Sequence, residues 1–334
     1  MQSAMPQEKG PVREVARLRN LSSMEYFLCK EREHCRVLRD INLLVSVAQT
    51  WGITGRSIFE IRLLLEIIAG IKPYDGGKCV LAGRGMLKRK RTILPHVFYI
   101  GNSDMLYGNM NVLEYLMFAM DRKRTVSRVE LQEQLLEFVV AAGMGHIMLT
   151  PVKELSKEEK AVVTLMAAVH SGSLLTVLNL PEYEFDPTLT KAIGFLSDII
   201  QKGGRSLIMG TEDCYLIEKA CSHTACITGG ELLYSGTVEN LRHTYDPVEV
   251  ILTDKNIDYM LERLTPLLPG FRLTVRDGCL LIGGGSLRDG GSGYIYRKLA
   301  EAGVLPEHVQ INPKTVCNAY EELFLQYDLQ NKLL

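Results

Sequence analysis

The apolar residues of this chain change period at Gly55. Between residues 15 and 55 they fall in short runs, Val37-Leu38, Ile41-Asn42-Leu43 and Val45-Ser46-Val47, separated by polar turns. That alternation predicts antiparallel strands. After Gly55, Ile58, Ile61, Leu64, Leu65 and Ile68 recur at helical spacing and are closed by Gly70 and Pro73, the pattern of a helix with a glycine stop. Strand, glycine turn and helix make a βα unit, which restricts the chain to folds whose helices cover a sheet.

The rest of the chain extends that alternation. A helical region is expected over 111–145, with Val112, Leu116, Leu131, Leu135, Leu136 and Val139 on one buried face. A helix over 156–171 precedes the apolar run 174–178, which reads as a buried strand ending at Asn179-Leu180-Pro181. Another helix, 189–200, leads through Gly203-Gly204 into a strand at 206–209. This order argues for a parallel sheet covered by helices. Near Asp246-Pro247 the texture shifts to α+β, with strands expected at 248–253, 271–275 and 279–282 and helices at 257–268 and 294–302. The expected division is a flexible 1–12, an α/β domain over 13–245 and an α+β domain over 246–334.

Charge and cysteines exclude several functions. Lys+Arg 38 against Asp+Glu 39 leaves a net charge of −1 in 334 residues, so no general field draws the chain to nucleic acid or an anionic bilayer. The basic run 88–91 has no interleaved aromatics and reads as a solvated loop. The eight cysteines form no CxxC pair. Cys221, His223 and Cys226 lack a fourth ligand nearby, so reduced thiols and no metal are expected. The seven histidines show no catalytic spacing. The glycine-rich 283–293 is not followed by a Lys-Ser/Thr pair and reads as a connection. The N-terminus lacks an apolar core, and the apolar stretch 58–71 is interrupted by Glu60, Arg62 and Glu66; neither a signal peptide nor a membrane span is expected.

Residues 38–70, LRDINLLVSVAQTWGITGRSIFEIRLLLEIIAG, resemble the opening of ABC transporter ATP-binding subunits, where a strand enters the Walker A loop G-x-x-x-x-G-K-[ST] and a helix ends in IIAG. Later stretches keep that family's order: 97–118 is similar to the Q-loop region, 152–159 to the signature helix, 174–187 to Walker B and its D-loop, 206–221 to the switch strand and 230–241 to the closing strands. The resemblance covers about residues 13–245 and implies an α/β, P-loop NTPase-like ABC ATPase fold, a mixed sheet with an antiparallel β subdomain and a helical subdomain over about 103–172. The last segment resembles, more loosely, the α+β accessory domain of some exporters.

What the resemblance does not carry is the chemistry. With Gly55 as the first Walker A glycine, the second falls on Glu60, the lysine on Ile61 and the hydroxyl on Arg62. Starting instead at Gly52 puts the lysine on Ile58 and the hydroxyl on Phe59. The Walker B carboxylate is Asn179, the general base Leu180, the Q-loop glutamine Asn102 and the switch histidine Glu212; Pro181 and Asp186 remain. In the signature, Leu155 and Ser156 remain, but the glycine pair is Lys157-Glu158. A carboxylate at Glu60 repels a phosphate charge by about 4 kcal/mol at 4 Å and an effective dielectric near 20, against about 2 kcal/mol returned by a helix N-terminus. No catalytic residues, no metal and no cofactor are therefore expected, with ATP and Mg²⁺ bound only if the altered site still accepts them.

Ser57 and Glu60, and Ser156 and Glu159, have the S-x-x-E spacing of capping boxes. Both phosphate-facing helix ends are thus expected to be self-satisfied caps, the alternative being that Glu60 points to solvent. Tyr26 and Phe27 stand about where the family stacks adenine, or else serve strand packing. The resemblance implies a cytoplasmic protein at the membrane's cytosolic face, a structural or regulatory exporter subunit. It would be held through the cleft beside residues 102–118 by a membrane permease, with an active ABC ATPase beside it. The alternatives are a soluble scaffold that kept the fold, or an ATPase with unconventional residues.

Overall fold

The structure, a computed structural model, describes residues 14–28, 33–85, 94–102, 107–120, 127–245, 250–283, 292–311 and 315–332. The expected flexible N-terminus, the basic run 88–91 and most of the glycine-rich stretch lie outside the described residues. Two compact units are present, 1–236 and 237–334.

The first unit opens with β1 (Glu14–Ser23), the hairpin β2 (Glu25–Leu28) and β3 (Glu33–Arg36), and β4 (Ile41–Ser46). In β4, Ile41, Leu43 and Val45 are buried while Asn42 and Leu44 are exposed, the alternation of a sheet with one wet face. Then follow β5 (Thr50–Gly55), α1 (Ile58–Ile68), β6 (Tyr74–Leu81), β7 (Arg84–Gly85) and β8 (Val97–Ile100). β1 runs antiparallel to both β4 and β6 in a sheet of order β4-β1-β6-β7.

The helical region expected over 111–145 is two helices, α2 (Val112–Met120) and α3 (Arg128–Ala141). Ser127 provides the physical reason for the restart: its hydroxyl accepts the Glu130 N–H while Glu130 returns to the Ser127 N–H, a capping box. After these come α4 (Lys157–Ser171), β9 (Leu175–Asn179), α5 (Pro187–Lys202), β10 (Ser206–Gly210), α6 (Cys214–Ala220), β11 (His223–Thr228) and β12 (Glu231–Thr237).

The second sheet has the order β12-β11-β5-β10-β9-β8, and its strands β11, β5, β10, β9 and β8 run parallel. It is buried on both faces, as parallel sheets require. Trp51, Ile53, Val177, Ile208 and Ile227 share one cluster with α1 and the antiparallel sheet. Leu178, Leu207 and Met209 share another with the helices after β8. α1 lies between the two sheets, and its Ile61, Leu63, Leu64, Leu65, Ile67 and Ile68 are all buried. Each such side chain contributes about 2 kcal/mol of transfer free energy, so one charge placed there opposes the whole helix.

The second unit begins earlier than the change of sequence texture, because α7 (Val238–Tyr245) packs against α10 (Val316–Lys332). Between them lie β13 (Val250–Thr253), α8 (Ile257–Leu264), β14 (Arg272–Arg276), β15 (Cys279–Gly283), α9 (Ser292–Ala302) and β16 (His308–Ile311). The antiparallel sheet of order β14-β15-β13-β16 makes this βαββαβ series a split, ferredoxin-like arrangement.

Candidate functional site

In open parallel sheets the ligand crevice lies outside the carboxyl ends of the strands. Gly210 pairs with Asn179 and with Ile53, and Ile100 with Leu178. This register brings Gly55, Asn102, Asn179, Leu180 and Glu212 to one edge of the sheet. Ser156 stands apart, at the start of α4.

Between the end of β5 and the start of α1 there are only two residues, Arg56 and Ser57. A G-x-x-x-x-G turn cannot be accommodated in either register. Counted from Gly55, its inner residues Ile58 and Phe59 are already helical; counted from Gly52, the glycines lie inside β5. Both glycines have packing reasons instead. A Cβ on Gly55 would stand 2.0 Å from the Ile227 carbonyl oxygen, and one on Gly52 2.8 Å from Ile217 Cγ1. Of the two residues expected at the lysine position, Ile61 is fully buried in the core and Ile58 is partly buried.

At the head of α1, Ser57 Oγ accepts the Glu60 N–H at 3.4 Å. The other half of the expected box is absent: Glu60 does not return to Ser57, nor does it point to solvent. Its Oε1 accepts the Gly230 N–H at 3.1 Å, and its Oε2 is buried without a partner among the described residues. Burial raises the Glu60 pKa, opposed by the Gly230 N–H and the Arg39 guanidinium. The Arg39 guanidinium donates to the Gly229 carbonyl at 2.8 Å, and the Arg39 main-chain N–H donates to the Gly230 carbonyl at 2.8 Å.

On the far side of α1, Asn179 Nδ2 donates to the Tyr99 hydroxyl at 2.9 Å and to the Arg62 carbonyl at 3.3 Å. Asn179 is 2 % exposed, and its Oδ1 has no partner among the described residues. Burial raises the Tyr99 pKa, opposed by the Asn179 bond. The Arg62 guanidinium, expected at the hydroxyl position when the loop is counted from Gly55, pairs with Glu182 at 2.6 Å. Leu180 is buried. Asn102 Oδ1 accepts the Tyr183 hydroxyl at 3.2 Å. Glu212 is exposed, and its neighbour Asp213 caps α6 through the Tyr215 and Leu216 N–H groups.

At α4 the capping box is complete: Ser156 Oγ accepts the Glu159 N–H at 3.1 Å and Glu159 Oε2 accepts the Ser156 N–H at 2.8 Å. Lys157, in the place of a signature glycine, sets its Nζ 4.8 Å from the centre of the Tyr183 ring. Asp186, retained from the family pattern, caps α5 through the Thr188 and Leu189 N–H groups. Sequence reasoning missed Tyr99, Glu182, Tyr183 and Gly230. The unmatched charge of Arg62 was the one signal that a carboxylate partner had to stand nearby. Tyr26 and Phe27 belong to β2, but their side chains lie outside the described residues.

Among the described residues no group of His, Cys, Asp and Glu could hold a metal. The Cys226 thiol is pushed up to about 12 by burial, and that of Cys221 is raised by the same cause. No helix among the described residues is long and apolar enough to cross a membrane.

No protein-family model matches the chain. In sequence it is similar to the methionine import ATP-binding protein MetN of Clostridium acetobutylicum, 24 % identical over 217 residues, covering 62 % of this chain and 66 % of that protein. It thus spans just under two thirds of that relative's length. A second relative, the methionine import ATP-binding protein MetN 2 of Bacillus licheniformis, is 21 % identical over 261 residues, covering 74 % of this chain and 76 % of that protein. In structure the chain is similar to an ATP binding subunit of an ABC transporter, with TM-score 0.54, 17 % identity and coverage of 68 % and 92 %. A dimeric ATP-binding cassette bound to ADP and Pi gives TM-score 0.54, 16 % identity and coverage of 67 % and 98 %. The chain has the ABC ATPase, P-loop NTPase fold, and the relatives it resembles in sequence are named methionine import ATP-binding proteins.

Proposed function

We propose that this chain is an ABC ATP-binding-like subunit that neither binds nor hydrolyses Mg-ATP and serves a membrane transporter as a structural or regulatory subunit. The observation that carries the reading is the two-residue connection Arg56-Ser57 between β5 and α1. Phosphates are held in this fold class by a loop of backbone N–H groups, a lysine and a hydroxyl that ligates Mg²⁺. Here the loop has no room, the lysine position is buried Ile61, and the hydroxyl position is a guanidinium engaged with Glu182. Asn179 at the metal-anchoring position and Leu180 at the general-base position remove the remaining roles. The residues do not fit Mg-ATP.

The membrane partner is supported by the exposed aromatic pair Tyr107 and Phe118, 55 % and 47 % exposed with ring centres 5.0 Å apart, near the Q-loop position. Such rings on a charged surface favour a partner surface over water. A permease at the cytosolic face and an active ABC ATPase beside this chain complete the reading. Its exporter form rests on the tail resemblance alone, since the relatives are named for import.

Calorimetry with Mg-ATP tests the central claim: no saturable heat is expected up to millimolar nucleotide. Micromolar binding lost in Arg62→Ala would overturn it. Co-purification with a co-expressed permease in mild detergent tests the partner, and its failure favours the soluble-scaffold alternative.

A further inference from the structure

Away from the Arg56-Ser57 connection and from the cleft beside Asn102, the first unit carries an open groove of about 450 Å³. It is lined by β1 and β4 of the antiparallel sheet, and by Gln49, Trp51, His223 and Ser235. β4 and β12, which contribute to it, are the edge strands of their sheets. Most of its polar groups are already spent. Gln49 is fixed by the Ser46 and Trp51 N–H groups, and Asn42 by the Asn20 N–H and the Asp40 carbonyl. Both ring nitrogens of His223 are engaged, by Gln49 and Ser222. These walls are set before any partner arrives, which lowers the ordering cost of binding.

The arginines are what the groove has to offer. Among the described residues no Asp or Glu lines it, while Arg17 and Arg19 do. Arg17 is paired with Glu14, which leaves donors of its five-donor fork available. The Arg19 guanidinium makes no ion pair or hydrogen bond among the described residues. It also stands directly opposite Lys78 of β6, and both are exposed. Like charges opposite one another across a sheet repel. In a chain of net charge −1, this is a local excess of positive charge that an anionic partner relieves.

Spacing decides which anion fits. Arg17 and Arg19 are alternate residues of β1 with buried Leu18 between them, so they share one face with about 7 Å between their Cα atoms. Alternate side chains of any extended peptide have the same separation, and carboxylates at i and i+2 meet the two guanidiniums in register. A lone phosphate or lipid headgroup has no such repeat to match. Leu44, 43 % exposed, stands opposite Arg17 on one side and Val80 on the other, an apolar strip across the same face.

We propose that this face binds an extended acidic segment of a partner protein, with carboxylates on alternate residues and an apolar side chain beside them. The proposal holds whether or not the Walker positions bind nucleotide.

The test is fluorescence polarisation of the full chain with a labelled peptide carrying Glu-Thr-Glu-Thr-Leu. The control has the same composition in the order Glu-Glu-Thr-Thr-Leu, which sends its carboxylates to opposite faces when extended. The alternating peptide is expected to bind with Kd below about 0.5 mM at low salt, about fivefold tighter than the control, and to weaken as salt is raised. Arg19→Gln is expected to weaken it about fivefold without lowering the melting temperature, since Lys78 then loses a like-charged neighbour. No saturable binding of the alternating peptide, equal binding of the control, or full affinity in Arg19→Gln would overturn the proposal. Arg19-dependent sedimentation with phosphatidylserine vesicles, in a chain that ignores the peptide, would likewise overturn it and assign the face to lipid.

Discussion

Glu60 Oε1 and the Gly230 N–H lie 3.1 Å apart, joining the head of α1 to the turn between β11 and β12. A helix end that serves phosphate in related folds is here closed by a carboxylate of the same chain. The fit is imperfect, since Glu60 Oε2 has no partner among the described residues and burial raises the pKa.

That imperfection sets the first expected outcome. A folded-state pKa raised above the unfolded one gives stability that is full below the unfolded value and lost as pH rises through the folded value. Glu60→Gln keeps an acceptor for Gly230 and removes the charge. Its stability relative to the native chain should therefore rise between pH 4 and pH 7, as read from urea midpoints. Glu60→Ala, which also removes the charge, should follow the same pH trend displaced downward by about 1 kcal/mol, because it leaves the Gly230 N–H unmade. A Gln variant whose relative stability is flat with pH would count against a buried, titrating Glu60.

On the proposed reading, installing the family's side chains should not produce ATPase activity. Ile61→Lys places an ammonium in the core between two sheets and should cost several kcal/mol. Asn179→Asp removes the donor to Tyr99 and Arg62 and faces a carboxylate toward the Arg62 carbonyl, with an expected loss of about 2 to 4 kcal/mol. Asn179→Asp combined with Leu180→Glu is expected to release no phosphate from ATP above background, because the loop between β5 and α1 is unchanged. Measurable turnover in that pair would refute a loop-based account.

At α4 the expectation is a stability effect alone. Ser156→Ala removes the Oγ that accepts the Glu159 N–H, while the main-chain N–H of residue 156 still reaches Glu159 Oε2, and should lower stability by about 1 kcal/mol, read by thermal unfolding. Ser156→Asp retains a capping acceptor and should recover most of it. If alanine left the unfolding midpoint where it was, the box would be ornamental.

The strand-to-helix switch at Gly55 was legible because periodicity reports burial directly: Ile61, Leu64, Leu65 and Ile68 all enter the core. The interruption between α2 and α3 was not, since the apolar spacing continues through Leu131 and Leu135, and only the Ser127 box marks the restart. The same limit appears at the site. Local spacing predicted Ser156 with Glu159 correctly, because both partners lie within one helical turn. It predicted only half of Ser57 with Glu60, because the carboxylate finds a better-placed donor 170 residues away at Gly230. Tyr99 beside Asn179, and Glu182 beside Arg62, are likewise pairs made by sheet register and helix placement, which no window along the chain contains.

The last expected outcome concerns His223, at the opposite end of the same strands. Gln49 Oε1 accepts from the Ser46 N–H at 2.7 Å and from the Trp51 indole N–H at 3.0 Å, which fixes its amide. Gln49 Nε2 must then donate to His223 Nε2, 3.0 Å away. Ser222 gives its hydroxyl proton to the Thr50 carbonyl, so its Oγ accepts from His223 Nδ1 at 2.9 Å. The imidazole is thus held neutral with its proton on Nδ1, and burial lowers its pKa. Protonation sets two donors face to face. A depressed folded-state pKa gives stability that is full above the unfolded value near 6.5 and lost as pH falls toward the folded value, with a slope of up to about 1.4 kcal/mol per pH unit. Because His170 is shifted in the same direction by its own burial, the measurement is a difference. The native chain's advantage over His223→Gln in urea should shrink as pH is lowered from 7 to 5, and a constant advantage across that range would dismiss the assigned tautomer.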